Sequence, residues 1–215
     1  MAGQAGQHSA VFAKMLAQQL VDDGYDAAKI FRGTAFDSSL LQEDSPTCLL
    51  ADSAIFFERA ALLTKNGNLG FQIGKEQDIR RIGLICYVGL AAPTVGGFLA
   101  NFARYSRVSS QALEIDKSRL FDRGIIEWEY AISPSLPRRQ YVEFAAASLL
   151  QTVRRFSDKS LAPRVVRFQH NRRSGIDEVE AYYGCKVEFG AARNGYEFAL
   201  EDLELPLSSA DEQLL

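Results

Sequence analysis

The spacing of the apolar residues changes near Leu113, and this change constrains the fold more than any other feature of the sequence. Before Leu113 the apolar residues recur at helical spacing. After it, Leu113 and Ile115 alternate with Glu114 and Asp116, as in a strand with one buried face. Helices followed by a mostly antiparallel sheet are typical of the α+β class. We therefore predict an α+β fold in which an N-terminal helical half packs on a sheet crossed by a long helix.

In the helical half, capping residues and breakers set the expected helix ends. Gly24 ends the first helix, Ser45 and Pro46 offer an N-cap and a first-turn proline for the second, and Pro93 separates the third from the fourth. The predicted helices cover residues 11–23, 45–66, 79–91 and 94–107.

In the sheet half, alternation predicts a β-hairpin from residues 113–116 and 126–132. A long amphipathic helix is expected over residues 138–158, and a shorter one over 176–183. Three more strands are predicted, over residues 164–170, 185–189 and 195–200.

The domain organisation expected from these elements is simple. Residues 1–9 are expected to form a flexible arm, and residues 10–207 a single domain with a helical half, 10–111, and a sheet half, 112–207. Residues 208–215 are expected to begin a linker.

Charge and cysteine usage exclude several function classes. The formal net charge of −3 is opposite to the basic surface that neutralises nucleic-acid phosphates, so this chain alone is not expected to bind DNA tightly. Cys48, Cys86 and Cys185 are predicted to be buried thiols in a reducing cytoplasm. Glycines and Pro93 interrupt the longest apolar stretch, so no transmembrane helix and no membrane partner are expected.

The residues that carry enzymatic or metal chemistry are scarce. His8 falls in the expected arm, and a terminal residue is more often disordered than catalytic. His170 and Cys185 allow a thiol hydrolase or transferase as a hypothesis, although a structural His and a buried Cys are favoured. No spacing typical of metal ligands is present. The sequence therefore predicts no enzyme, no catalytic residue, no metal and no cofactor. A haem held by one axial ligand stays open as an alternative, because a single ligand leaves no spacing signature.

The glycines are not arranged as a phosphate-binding loop. Gly67, Gly70 and Gly74, like Gly96 and Gly97, lack the strand-then-helix context of such a loop, so helix ends and close packing are expected instead. Inside a predicted helix Gly97 costs about 1 kcal/mol relative to alanine, which indicates a close contact or a pocket wall.

Aromatic residues supply the candidate ligand site. Ligand pockets have mostly apolar walls with a few placed polar groups, and aromatic residues lie in several elements that should meet near the sheet. Trp128 is the first choice because a buried indole N–H needs a partner. The predicted ligand-binding residues are Trp128, Phe102, Tyr87, Phe144 and Tyr105.

Several segments, in their order and spacing, carry a resemblance to a known family. They are Leu69-Gly-Phe-Gln-Ile-Gly-Lys-Glu76, the stretch from Ile82 through Ala92-Pro-Thr94 to Tyr105, and the C-terminal segments 164–170, 182–190 and 202–207. Together they resemble the N-terminal effector domain, often labelled arabinose-binding domain, of AraC-type transcription regulators. Ala92 in place of the usual serine and Gly97 inside a helix depart from the family pattern.

The resemblance implies a non-enzymatic, cytoplasmic domain that senses a small-molecule effector and forms a homodimer. It further implies that DNA is bound only through a C-terminal helix-turn-helix domain, which these residues do not include. The first helix or the helix at 138–158 is expected to supply the dimer face. The alternatives left open are a stand-alone small-molecule or haem-binding protein, and the thiol enzyme that uses Cys185 and His170.

Overall fold

The fold was analysed in a computed structural model, which describes residues 7–77, 84–157 and 161–211. By its internal contacts the chain divides into two compact units. Unit 1 comprises residues 1–77, 109–112 and 131–148, and unit 2 comprises residues 78–108, 113–130 and 149–215. Each unit is therefore assembled from segments that are distant in sequence.

Unit 1 is built mainly from helices. In chain order its described elements are β1 (Gln7–Ser9), α1 (Val11–Asp22), α2 (Ala27–Phe31), a 3-10 turn (Ser38–Leu41), β2 (Thr47–Leu49), α3 (Leu50–Leu63), α4 (Leu69–Gly74) and the part of α8 (Arg139–Phe156) that precedes residue 149. The predicted first helix is confirmed as α1. The strands β1 and β2 form an antiparallel two-stranded sheet in which His8 lies opposite Cys48.

The core of unit 1 is a cluster of aromatic rings. The Phe57 ring lies 4.9 Å from that of Phe144 and 5.4 Å from that of Tyr141. Phe12 of α1 meets Phe144 edge to face at 4.6 Å. Such aromatic pairs stabilise a core beyond the effect of area burial alone. They join α1, α3 and the first part of α8 around one centre.

The second predicted helix begins later than expected. Ser45 and Pro46 were predicted as its N-terminus, but Thr47–Leu49 form β2 and the helix starts at Leu50. The Asp52 carboxylate accepts a hydrogen bond from the Leu49 N–H at 3.3 Å and so satisfies one free donor at the helix start. Pairing with β1, a tertiary contact, takes these residues out of the helix.

Unit 2 combines helices with the larger sheet. Its described elements are α5 (Leu84–Leu90), α6 (Val95–Ser109), β3 (Leu113–Asp116), α7 (Leu120–Arg123), β4 (Ile125–Tyr130), the end of α8, β5 (Val165–Phe168), α9 (Ile176–Tyr183), β6 (Lys186–Phe189), β7 (Asn194–Glu197) and α10 (Leu200–Leu203). The strand order is β3-β4-β7-β5-β6, and only the β5–β6 pair in this sheet is parallel.

The sheet of unit 2 has one apolar and one charged face. Ile126, Trp128 and Tyr130 of β4 are buried, and Tyr196 of β7 lies opposite Ile126. The intervening Glu127 and Glu129 remain partly exposed, as the alternation predicts. The α+β class and the hairpin of β3 and β4 are thus confirmed.

Two features of unit 2 differ from prediction. Leu200 was predicted to end a strand, but β7 stops at Glu197 and Leu200 begins α10. Gly97 lies in the first turn of α6, where its N–H donates to Thr94 Oγ1 at 3.2 Å, so it is not a helix-interior glycine. The first part of the helix predicted over 79–91 falls outside the described residues. Within the described chain, no helix combines the length and hydropathy needed to cross a membrane.

Candidate functional site

A surface groove of about 340 Å³ lies within unit 1, where three helices end. Its floor is apolar and is formed by Leu16 and Leu20 of α1 and by Leu69 and Ile73 of α4, all of them buried. The volume lies in the range of small-molecule sites. The groove is therefore large enough for a small organic ligand.

The walls of the groove are polar. They are formed by Gln19, Asp23, Tyr25, Thr64, Gln72 and Glu76, together with Asn66. Asp23 is the C-cap residue of α1 and Thr64 is the C-cap residue of α3. An apolar floor with a few polar groups around it is the usual composition of a binding site.

The turn between α3 and α4 fixes one wall of the groove. Lys65 has φ 53°, a left-handed conformation that costs a non-glycine residue roughly 1–2 kcal/mol. The Asn66 N–H donates to Ala61 O at 3.0 Å and the Lys65 N–H to Leu62 O at 3.3 Å, the pattern of a Schellman helix end. The Asn66 side chain then donates to Gln72 Oε1 at 2.8 Å. The strained turn thus places Asn66 in the wall of the groove.

Glycines hold α4 against the backbone of α8. A Cβ at Gly70 would lie 2.0 Å from Gln140 O, and a Cβ at Gly74 would lie 2.5 Å from Phe144 O. The Gly70 N–H donates to Gln140 Oε1 at 2.8 Å. The same side chain donates from Nε2 to Gly67 O at 2.8 Å. Only glycine permits this approach, so the expectation of close packing is confirmed at Gly70 and Gly74.

The groove contains acidic groups without basic partners. Asp23 and Glu76 line it, and neither forms an ion pair with a residue that the structure describes. Among the described residues, no lysine or arginine belongs to its lining. The last turns of α1 and α3 contain no basic residue either. Two acidic side chains and no described basic one therefore favour a negative electrostatic potential in the groove.

The five aromatic residues predicted to bind a ligand do not line this groove. In unit 2, Trp128 is buried with its ring 5.2 Å from Tyr196, and Phe102 stacks on Phe98 at 6.1 Å. Tyr105 lies beneath the Arg104 guanidinium at 5.2 Å.

Tyr87 and Phe144 are placed quite differently from each other. Tyr87 on α5 is 51% exposed, whereas Phe144 is buried in the aromatic cluster of unit 1. The ligand-binding role of the five aromatics stays a prediction. The groove residues were missed because Asp23 and Asn66 were interpreted only as helix ends, and the local sequence at a helix end does not show which other helix ends lie beside it.

His8 is buried, although it was expected in a mobile arm. It is 5% exposed, and Tyr141 Oη lies 2.9 Å from its Nε2. Burial lowers the pKa of His8 from 6.5 to about 4, so the imidazole is neutral near neutral pH. Among the described residues, His8 Nδ1 has no hydrogen-bond partner, and neither has Ser110 Oγ. The backbones of His8 and Ser110 form an isolated β-bridge. His8 thus anchors β1 in the core.

The hypothesis of a thiol enzyme gains no support from Cys185. Burial raises the pKa of the Cys185 thiol, whereas an activated cysteine needs a lowered pKa. The His170 ring stacks on Phe168 at 5.0 Å. All three cysteines are free, but only Cys86 is fully buried, since Cys48 and Cys185 are partly exposed. Within residues 7–77, 84–157 and 161–211, no group of three or more His, Cys, Asp or Glu side chains is placed to hold a metal ion.

Comparisons with known proteins identify one family and a similar transcription regulator. Residues 24–207 match the family model of the arabinose-binding domain of AraC transcription regulators, N-terminal. The chain is 22% identical over 192 residues to the HTH-type transcriptional regulator VirS of Mycobacterium tuberculosis, in strains CDC 1551 / Oshkosh and ATCC 25618 / H37Rv. The match covers 88% of this chain and 56% of VirS, so the chain spans about half the length of these curated relatives.

A solved structure shows a similar fold. The crystal structure of the transcriptional regulator CdpR from Pseudomonas aeruginosa superimposes with a TM-score of 0.52 at 16% sequence identity. The similarity covers 72% of this chain and 53% of the CdpR chain. At this level of identity the comparison concerns the fold alone.

Proposed function

The chain belongs to the family of N-terminal arabinose-binding domains of AraC transcription regulators, and on this premise we propose that it is the ligand-sensing and dimerisation domain of such a regulator. The observation that carries the proposal is the family match over residues 24–207, which includes the elements from α2 to α10 but not β1 or α1. The family resemblance predicted from the sequence is thereby confirmed.

The proposed mechanism is thermodynamic linkage. An effector that binds one conformation of the domain better than another shifts the population towards it. A DNA-binding domain on the same polypeptide would report the shift as a change in promoter occupancy. The net charge of −3 supports a sensory rather than a DNA-binding role for these residues.

We place the effector in the groove of unit 1. Its buried floor of four aliphatic side chains offers apolar surface to a ligand, and its polar walls offer hydrogen-bonding groups. Trp128 and Phe144 are engaged in ring contacts of the two cores, which favours a packing role for them. Tyr87, Phe102 and Tyr105 remain predicted contacts in unit 2.

For the homodimer, burial favours α1 over α8 as the contact surface. Residues 140–144 and 146–150 of α8 are buried within the single chain, so little of this helix is available to a partner. On α1, Val11, Lys14 and Val21 are partly exposed and do not line the groove. A self-complementary surface on α1 would form the symmetric contact that a dimer requires.

A pair of variants on α1 tests the proposed groove. Gln19 and Gln18 are adjacent and exposed, but only Gln19 lines the groove. Compounds that raise the Tm of the wild-type chain in a thermal-shift screen should lose this effect in Gln19→Trp and keep it in Gln18→Trp. Equal responses in both variants would contradict effector binding in the groove.

A second measurement separates the regulator from a stand-alone binding protein. In the protein expressed from the whole gene, a ligand that binds the groove should change promoter binding. Gln19→Trp should abolish that change. Ligand binding without any effect on DNA would support the stand-alone alternative. An absorbance band in the purified protein would support its haem-binding version.

A further inference from the structure

We infer that the groove takes an organic cation, a small molecule with an ammonium or guanidinium group on a short aliphatic body. The inference rests on the proposed function, because it names the chemical class of the effector. Its starting point is the pair of carboxylates, Asp23 and Glu76, that line the groove without a basic partner among the described residues. Both residues are exposed, so their carboxylates are accessible to a bound molecule.

The helix ends add to this negative potential. The groove is lined by Asp23, the C-cap residue of α1, and by Thr64, the C-cap residue of α3. The C-terminus of a helix carries a partial negative charge, which favours a nearby cation. Neither helix has a basic residue in its last turn. Lys65 follows Thr64 directly, but it is exposed and does not line the groove.

The rest of the lining suits the body of such a ligand. Tyr25 lines the groove, and an aromatic ring is the type of group that attracts an ammonium or guanidinium ion. Leu16, Leu20, Leu69 and Ile73 form an apolar floor against which methylene groups can lie. A carboxylate ligand would meet two like charges and no cation, which is unfavourable.

A series of compounds with the same four-carbon chain tests the inference by calorimetry. The probes are 1,4-diaminobutane, 1,4-butanediol and succinate, which differ in charge but hardly in length. The diamine should bind and raise the Tm of the chain, and its affinity should fall as salt is added. The diol should bind at least about tenfold more weakly, because it makes no ion pair, and succinate should not bind.

Matched variants locate the binding. Asp23→Asn and Glu76→Gln should each weaken diamine binding about twofold to fivefold, since each removes one ion pair of an exposed carboxylate. Asp22→Asn makes the same change of charge on the neighbouring residue, which does not line the groove and accepts a hydrogen bond from Gln18 instead, and it should leave the affinity unchanged.

The outcomes separate this inference from the proposed function. Equal binding of the diol or of succinate, or equal affinity of the wild type and both groove variants, overturns the cationic class. If a neutral or anionic probe binds the wild type but no longer binds Gln19→Trp, the ligand-sensing role of the groove stands. If instead the diamine binds equally to Gln19→Trp and to the wild type, both the groove and the cationic class fail.

Discussion

The two units differ in the ion pairing of their acidic side chains. On the charged sheet face of unit 2, Glu127 accepts from Arg119 at 2.6 Å and Glu129 from Arg193 at 2.9 Å. Arg167 donates to Glu188 and to Glu197, each at 2.9 Å. In the groove of unit 1, Asp23 and Glu76 have no such partner among the described residues. The first arrangement stabilises a sheet, whereas the second leaves charge available to a ligand.

Helix ends differ between the units in the same way. At the end of α9 in unit 2, the carbonyl groups of Tyr182 and Tyr183 accept hydrogen bonds from Arg154 at 2.9 and 3.2 Å. In unit 1 the last turns of α1 and α3 have no basic residue. A cation at a helix C-terminus is stabilising, and in unit 2 the chain supplies it. At the ends of α1 and α3 in unit 1, we propose that the ligand supplies it.

The largest effect on stability is expected from adding a side chain where α4 contacts the backbone of α8. The Cβ of Gly70→Ala would lie 2.0 Å from Gln140 O, so we expect the free energy of unfolding to fall by about 3 kcal/mol or more. Urea denaturation measures the loss. Gly67→Ala is the matched control, because a Cβ there has no neighbour within 4 Å. Equal stability of the two variants would contradict the backbone contact between α4 and α8.

A second effect distinguishes the units by pH. Burial lowers the pKa of His8 from 6.5 in the unfolded chain to about 4 in the folded chain. Because the unfolded chain takes up the proton first, the contribution of neutral His8 to the free energy of unfolding is complete above pH 6.5 and is lost as the pH falls towards 4. The loss reaches about 3 kcal/mol. On the sheet of unit 2, a hydrogen bond from Ser118 lowers the pKa of Asp116, whose contribution is therefore lost only below its ordinary value of 3.8.

Chemical denaturation between pH 7 and pH 4 measures this difference. The wild-type chain should lose stability over that range, and His8→Gln, which cannot take up a proton, should lose much less. An unchanged pH dependence in His8→Gln would show that another group is responsible.

A smaller effect is expected from the paired charges of unit 2. Arg167→Gln leaves Glu188 and Glu197 without their partner, and both are partly or well exposed, so we expect a loss of about 1 kcal/mol. The loss should shrink at high salt, because screening weakens the pairs it removes. A loss that is independent of salt would indicate that Arg167 stabilises the sheet by packing.

Most elements were predictable because their apolar periodicity is local. The helices α1, α8 and α9 and the hairpin of β3 and β4 lie close to their predicted bounds. The strand β2 was not predictable from local sequence, since Thr47–Leu49 become a strand only by pairing with β1.

The groove was not predictable for a related reason. It forms where the ends of α1, α3 and α4 meet, and its residues Asp23, Thr64 and Glu76 are far apart in sequence. Aromatic content directed attention to Trp128 and Phe144, which are buried in the two cores. The spacing of Gly70 and Gly74 did give a usable signal, because it indicated close packing at the helix that forms one side of the groove.

The stability of the double variant Asp23→Asn with Glu76→Gln tests the central claim most directly. If these carboxylates serve a ligand rather than the fold, neutralising them should leave the free energy of unfolding unchanged or raise it by about 0.3–1 kcal/mol, as expected when a negative charge is removed at a helix C-terminus. Urea denaturation of the ligand-free chain, beside Arg167→Gln, gives the comparison. A loss of stability in the double variant equal to that in Arg167→Gln would contradict the claim.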